Sequence, residues 1–321
     1  MKELFELKDE YIIESTPETS NIVVYSQLSE SEKEELYTTL NLDQHDLESA
    51  LDPDEISRAE LTTDQLYVIW KRPNAASFKE QLKFEVSSMG MFLKKDRLTV
   101  ILGESTSPFS SKKLPGATSL NSVVLRIFMD TIHHFLSHLK VMRQLNAELQ
   151  SKLNISMENQ YLLQMFNLSE SLIYYLNALE ANASVLTKLR NNAEKIGFSQ
   201  EALEMLDDII IEHQQCSKQT EIYSSVLSGL MDARGNIINN NMNILLKNLT
   251  LINVVFLPLN LIAGIGGMSE FSMMTQGVSW KVAYSLFLIG MIVLGLLTWI
   301  LLVKRIHRQK VIKTNGTRKS K

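Results

Sequence analysis

Cysteine is all but missing from this chain of 321 residues: Cys216 stands alone, so no disulfide forms within it. That usage suits a reducing compartment. Glycine and proline are absent between Gly116 and Gly197, which leaves little to interrupt a helix there. The opening MKELFELKDEY is charged and lacks an apolar run, so no N-terminal signal peptide is expected. No P-loop, G-x-S-x-G, H-E-x-x-H or paired-cysteine motif occurs, and an enzyme is not expected.

Charge is missing from two long runs. Leu249 to Met268 carries none, and Val282 to Val303 is a second uncharged run of 22 residues. A helix crosses the hydrocarbon core of a bilayer with roughly 20 apolar residues at about 1.5 Å each. Both runs are long enough, and the reading is a membrane hairpin with a first span at 248–268, an outer loop at 269–281 and a second span at 282–303. Glu270 and Lys281 are the only charges in that loop.

Acid is missing from the tail, 304–321, which holds Lys304, Arg305, Arg308, Lys310, Lys313, Arg318, Lys319 and Lys321. The positive-inside rule places this tail in the cytoplasm, and two spans return the chain to the same side. A multi-pass protein of the cell (inner or plasma) membrane with both termini cytoplasmic is expected. The tail takes 8 of the 32 basic residues, which leaves 24 against 36 acids before it, a net of −12. Such a body repels nucleic acid and attracts cations in a general way; an acidic surface kept for solubility reads the same.

What is present divides the soluble part in two. Residues 1–105 read as mixed α/β, with β-branched or aromatic strands at Asn21–Ser26, Leu66–Trp70 and Leu98–Leu102. Ser29 followed by acids reads as a helix start. A stretch rich in Ser, Pro and Gly, 106–118 at its core, reads as a linker. Residues 119–196 then repeat apolar positions at helical spacing and read as two long antiparallel helices, about 119–153 and 157–195, turning near Asn154. A further helix opens near Ser199 and continues through 197–247 into the first span. Unbroken to 267, it would be on the order of 100 Å long and would need partners to cover its apolar face.

Two features carry chemistry. His134 and His138 have the i,i+4 spacing that sets two imidazoles on one metal, with His133 beside them, although an ordinary helix surface has the same pattern. The second feature is a polar stripe in the first span. A 3-4 repeat places Asn243, Thr250, Leu257 and Gly264 on one seam position and Leu246, Asn253, Asn260 and Gly267 on the other. An amide in hydrocarbon is costly unless it meets a partner or water. Amide pairing across helices and a water-filled pore for a partly hydrated cation are both consistent with it. The stripe alone leaves the two open.

Phe256-Leu-Pro-Leu-Asn-Leu-Ile-Ala-Gly-Ile-Gly-Gly-Met-Ser-Glu is similar to the end of the first membrane helix of the CorA family of divalent cation transporters, which reads approximately F-M/L-P-x-T-x-I-A-G-I-Y-G-M-N-F-E. The order of parts also resembles that family: an α+β cytoplasmic domain, long helices, a stalk continuing into the membrane, a second span and a basic tail. The resemblance implies a funnel-shaped homopentamer in the bilayer with the first spans around one central pore. Its pore positions fall on Asn243, Leu246, Leu249, Leu257 and Asn260, and its selectivity motif on Gly267, Met268, Ser269 and Glu270. Gly266 and Ser269 depart from the signature Tyr-Gly-Met-Asn, so the ring at the mouth would be wider and offer fewer acceptors. A regulatory cation site, by the same analogy, falls on Glu48 and Asp208.

The resemblance therefore implies channel-like uptake of magnesium or cobalt. The cation is substrate and regulator, and no prosthetic group is expected. A zinc transporter of the same superfamily, or a non-conducting membrane-anchored sensor or scaffold, are the alternatives.

Overall fold

The computed structural model describes residues 1–40, 43–62, 65–74, 83–104, 107–109, 111–155 and 159–318. The chain divides into two compact units, Met1–Met231 and Asp232–Lys321.

The first unit is built on one seven-stranded sheet. Its strands are β1 (Lys2–Lys8), β2 (Tyr11–Glu14), β3 (Ile22–Ser26), β4 (Arg58–Leu61), β5 (Gln65–Pro73), β6 (Val86–Lys94) and β7 (Arg97–Leu102), in the order β2-β1-β3-β7-β6-β5-β4. Only β3 and β7 pair in parallel; the other neighbours are antiparallel. Successive side chains of a strand point to opposite faces, and here both faces are covered. Ile22, Val24, Leu66, Val68, Trp70, Leu98 and Val100 join one core, while Val23, Tyr25, Tyr67, Ile69 and Ile101 join the other. This double burial explains why β3, β5 and β7 stand out as continuous apolar runs.

Helices α1 (Glu30–Leu40) and α2 (Gln44–Leu51) cover the smaller core. Ser29 caps α1 reciprocally: its amide donates to Glu32 Oε2 at 2.8 Å, and the Glu32 amide donates to Ser29 Oγ at 3.4 Å. On α2, Ala50 lies so close to the sheet that a Cβ on Gly90 would sit 2.5 Å from the Ala50 Cβ, which explains a glycine in the middle of β6. The larger core lies under α3 (Leu120–Ile155), α4 (Asn159–Asn191) and the first part of α6 (Gln200–Gly266). A short α5 (Ala193–Ile196) ends on Gly197 in the left-handed region, φ 80°, and Ser199 Oγ accepts from the Ala202 amide to open α6. Asn154, near which the sequence predicts a turn, is still within α3, and residues 156–158 lie outside the described residues. The segment expected as a linker is packed: Leu114 and Ala117 are buried, and the Gly116 amide donates to Glu10 Oε1.

The second unit holds the remainder of α6, a short α7 (Ser269–Met274) and α8 (Trp280–Arg318). Thus a helical turn stands where the sequence suggested only a loop, and α8 continues into the basic tail. Both α6 and the Trp280–Leu301 part of α8 are long and apolar enough to cross a membrane, and most of their large side chains are exposed within the single chain. Apolar faces left so open need lipid or further helices to cover them.

Candidate ion pathway

The polar stripe lies on one face of α6. Asn243, Leu246, Leu249, Thr250, Asn253, Leu257, Asn260 and Gly264 are all exposed in the single chain. The half-buried or buried positions of the same stretch are Leu251, Val255, Pro258, Leu259, Ile262 and Gly266. At 100° per residue these centre roughly 180° from the stripe. α8 meets two of them: Leu259 reaches toward Gly295, and the ring of Phe287 lies against Gly266. These contacts with α8 fall on another side of α6 from the centre of the amide stripe. Thr250 differs from the asparagines, because its hydroxyl donates back to the Leu246 carbonyl at 2.8 Å.

At the end of α6 the chain turns sharply. The Gly267 amide donates to the Ala263 carbonyl and the Met268 amide to the Ile265 carbonyl, both at 3.1 Å. Met268 is extended and precedes α7, whose first turn holds Ser269 and Glu270. Ser269 Oγ lies 3.4 Å from Glu270 Oε2, so hydroxyl and carboxylate oxygens are close neighbours on an exposed turn.

The other nominated residues lie in the first unit. Glu48, on α2, is exposed and accepts from Gln44 Nε2 at 2.7 Å; Asp208 is exposed on α6. Among the described residues no group of three or more His, Cys, Asp or Glu side chains is arranged to hold a metal. His134 and His138 do meet, Nε2 to Nε2 at 3.1 Å, and His138 Nδ1 lies 2.6 Å from the Tyr175 hydroxyl. The chain is satisfied when the Tyr175 hydroxyl donates to His138 and His138 donates to His134. Sequence spacing finds the pair but not Tyr175, which comes from α4.

Burial holds these imidazoles neutral. It pushes His138 down to about 4, assisted by His134, and His213 down to about 4; burial and then Arg72 lower His134. An unfolded histidine protonates near 6.5, so between about 6.5 and 4 the unfolded chain binds more protons than the folded one. Stability is therefore expected to be full above that window and to fall as pH drops through it. Chemical denaturation of the full-length protein across pH 7 to 4 measures this, and His138→Gln should flatten the slope.

The sequence profile of the CorA-like Mg2+ transporter protein family matches residues 18–306. The chain belongs to this family. The Cobalt/magnesium transport protein CorA of Methanocaldococcus jannaschii is 27% identical over 248 residues, 74% of this chain and 76% of that protein. The fold agrees with the complete structure of the CorA magnesium transporter from the same organism, with a TM-score of 0.76 at 21% identity, over 94% of this chain and 96% of that one. The ZntB cytoplasmic domain from Vibrio parahaemolyticus matches at TM-score 0.57 and 12% identity, over 74% of this chain and 98% of that one. CorA-like membership thus joins the two membrane-length helices and the α+β unit in one ion-transporting membrane protein.

Proposed function

We propose that this chain is a channel-like transporter that passes a divalent cation, magnesium or cobalt, through the central pore of a homopentamer. The observation that carries the reading is the placement of the amides: the stripe centres on another side of α6 from its contacts with α8, so five copies of α6 would turn Asn243, Asn253 and Asn260 toward a shared axis. Stacked amide oxygens meet a hydrated cation without stripping its water, which suits magnesium because it dehydrates reluctantly. Leu246, Leu249 and Leu257 would alternate with them as apolar constrictions that gate by dewetting. Gly264, Gly267 and Met268 would form the outer end, with Ser269 and Glu270 supplying oxygens at the mouth. The basic tail and acidic body support cytoplasmic termini and cation entry toward the cytoplasm. Glu48 and Asp208, exposed on different elements of the first unit, would meet across neighbouring subunits to sense the cation.

The test is assembly and competition together. The detergent-purified protein is expected to run at five times its 36.5 kDa chain mass. In vesicles, magnesium and cobalt are expected to suppress each other's uptake more strongly than zinc does. A monomeric or dimeric protein would remove the pore, and preferential zinc uptake would move the assignment to zinc transport.

A further inference from the structure

Among the described residues of 232–301, Gly266 alone is buried. A Cβ placed on it would lie 2.4, 2.8 and 3.0 Å from the Cζ, Cε1 and Cε2 carbons of Phe287. Gly264, Gly277 and Gly290 have open space around them, and Gly267 meets only backbone carbonyls at 3.6 Å, an ordinary contact. Gly266 does not have a positive φ, so the glycine is needed for room and not for backbone conformation. The signature described above has tyrosine at this position; here the space for a side chain is filled by a ring from α8.

The same ring also holds the far side of the turn. Phe271 on α7 packs against Phe287 with centroids 5.1 Å apart and against Tyr284 at 6.0 Å. The Phe271 amide donates to the Met268 carbonyl at 3.2 Å. Phe287 thus touches both ends of one short segment, Gly266 before it and Phe271 after it. Between them lie Gly267, Met268, Ser269 and Glu270.

We propose that Phe287 is a positioning residue for the outer mouth: seated on the bare Cα of Gly266 and against Phe271, it fixes where Ser269 and Glu270 stand. The mouth's role in conduction rests on the function proposed above, while the clamp itself is a matter of packing. Phe287→Ala removes the ring; Gly266→Ala drives the ring away from its seat and so loosens Phe271 as well. Both act on one contact, so their effects should not add.

Thiol accessibility reads this without transport. The full-length protein carrying Ser269→Cys is reconstituted and treated from outside with a charged methanethiosulfonate; Cys216 is buried and stays silent. Phe287→Ala and Gly266→Ala are each expected to change the modification rate about tenfold, and the double variant no more than either alone. The milder Phe271→Leu should shift the rate in the same direction, and wild-type elution volume confirms that each variant assembles. Additive effects, or an unchanged rate in all three single variants, would overturn the clamp. Cation uptake is measured on the same vesicles: a clamp phenotype in a protein that moves no cation would leave the packing role intact and remove the transport reading. Normal wild-type uptake with no change in modification would do the reverse.

Discussion

Uptake through an Asn260→Leu variant is expected to fall about ten- to a hundredfold relative to wild type, equivalent to roughly 1.4–2.8 kcal/mol added to the barrier. Asn260 is exposed on α6, about 100–120° round the helix from Leu259 and Gly266, which meet α8. Leucine is close in size and suits the helix as well, so assembly should survive. What changes in the proposed pore is water: Leu257 lies one turn below, and a second apolar ring at 260 would extend its constriction into a longer one. Asn260→Gln keeps an amide and should retain most of the flux. Thr298→Val on α8 serves as the control, because that hydroxyl already bonds its own helix backbone. Radiometal or indicator uptake into vesicles separates the cases. Unchanged flux in Asn260→Leu would leave the stripe as helix-pairing chemistry alone.

The largest expected effect on stability falls far from the membrane, at Asn182. This residue of α4 is fully buried, accepts from Ser57 Oγ at 2.7 Å and from the Lys71 amide at 3.0 Å, and donates to the Lys71 carbonyl at 2.9 Å. The pairing of β4 with β5 stops at Arg58↔Ile69, so beyond it the Asn182 amide takes over as the partner that strand β5 lacks. Lys71 is itself buried: its ammonium donates to the Pro53 carbonyl and to Ser88 Oγ, and burial lowers its basicity. Asn182→Ala leaves a buried N–H and a buried C=O without partners, at about 2–4 kcal/mol. In a unit of this size that lowers the thermal midpoint by roughly 5–15 °C. Asn177→Ala, one and a half turns earlier and exposed, should change it by less than about 0.5 kcal/mol. A midpoint unchanged in Asn182→Ala would mean that the sheet edge is satisfied in another way.

The sequence betrays structure where neighbours in the chain contrast with one another. Strands β3, β5 and β7 are legible because burial on both faces makes them dense in Ile, Val, Leu and aromatics. β6 is not, since Val86-Ser-Ser-Met-Gly-Met-Phe-Leu-Lys mixes serine and glycine, and its Gly90 is dictated by an α2 residue 40 positions away. β1 and the edge strands β2 and β4 carry Lys2, Glu3, Glu14, Arg58 and Glu60, charges that hide a strand pattern; on β2 and β4 they also protect the sheet edge. The long helices show through their periodicity and the lack of glycine and proline, with ends shifted by a few residues.

The same rule governs the candidate site. Polar residues in the first span are conspicuous because everything around them is apolar. Phe287 is invisible for the opposite reason: it is one more large apolar residue in a helix full of them, and only its contact with Gly266 distinguishes it. Gly266 looked like a loss of the family signature. In the structure it is half of a packing pair whose other half lies 21 residues later. Tyr175 and Asn182 were likewise missed, because a single polar residue on a helix acquires meaning only from what the fold brings against it.

Under the proposed function, cations cross the membrane through this assembly. Its most direct test is entry of magnesium into vesicles that contain the full-length wild-type protein and a trapped magnesium indicator. Entry down the imposed gradient, and its loss in Asn260→Leu, is the expected result. A correctly assembled wild-type protein that admits none of magnesium, cobalt, nickel or zinc would instead be a non-conducting membrane-anchored sensor or scaffold.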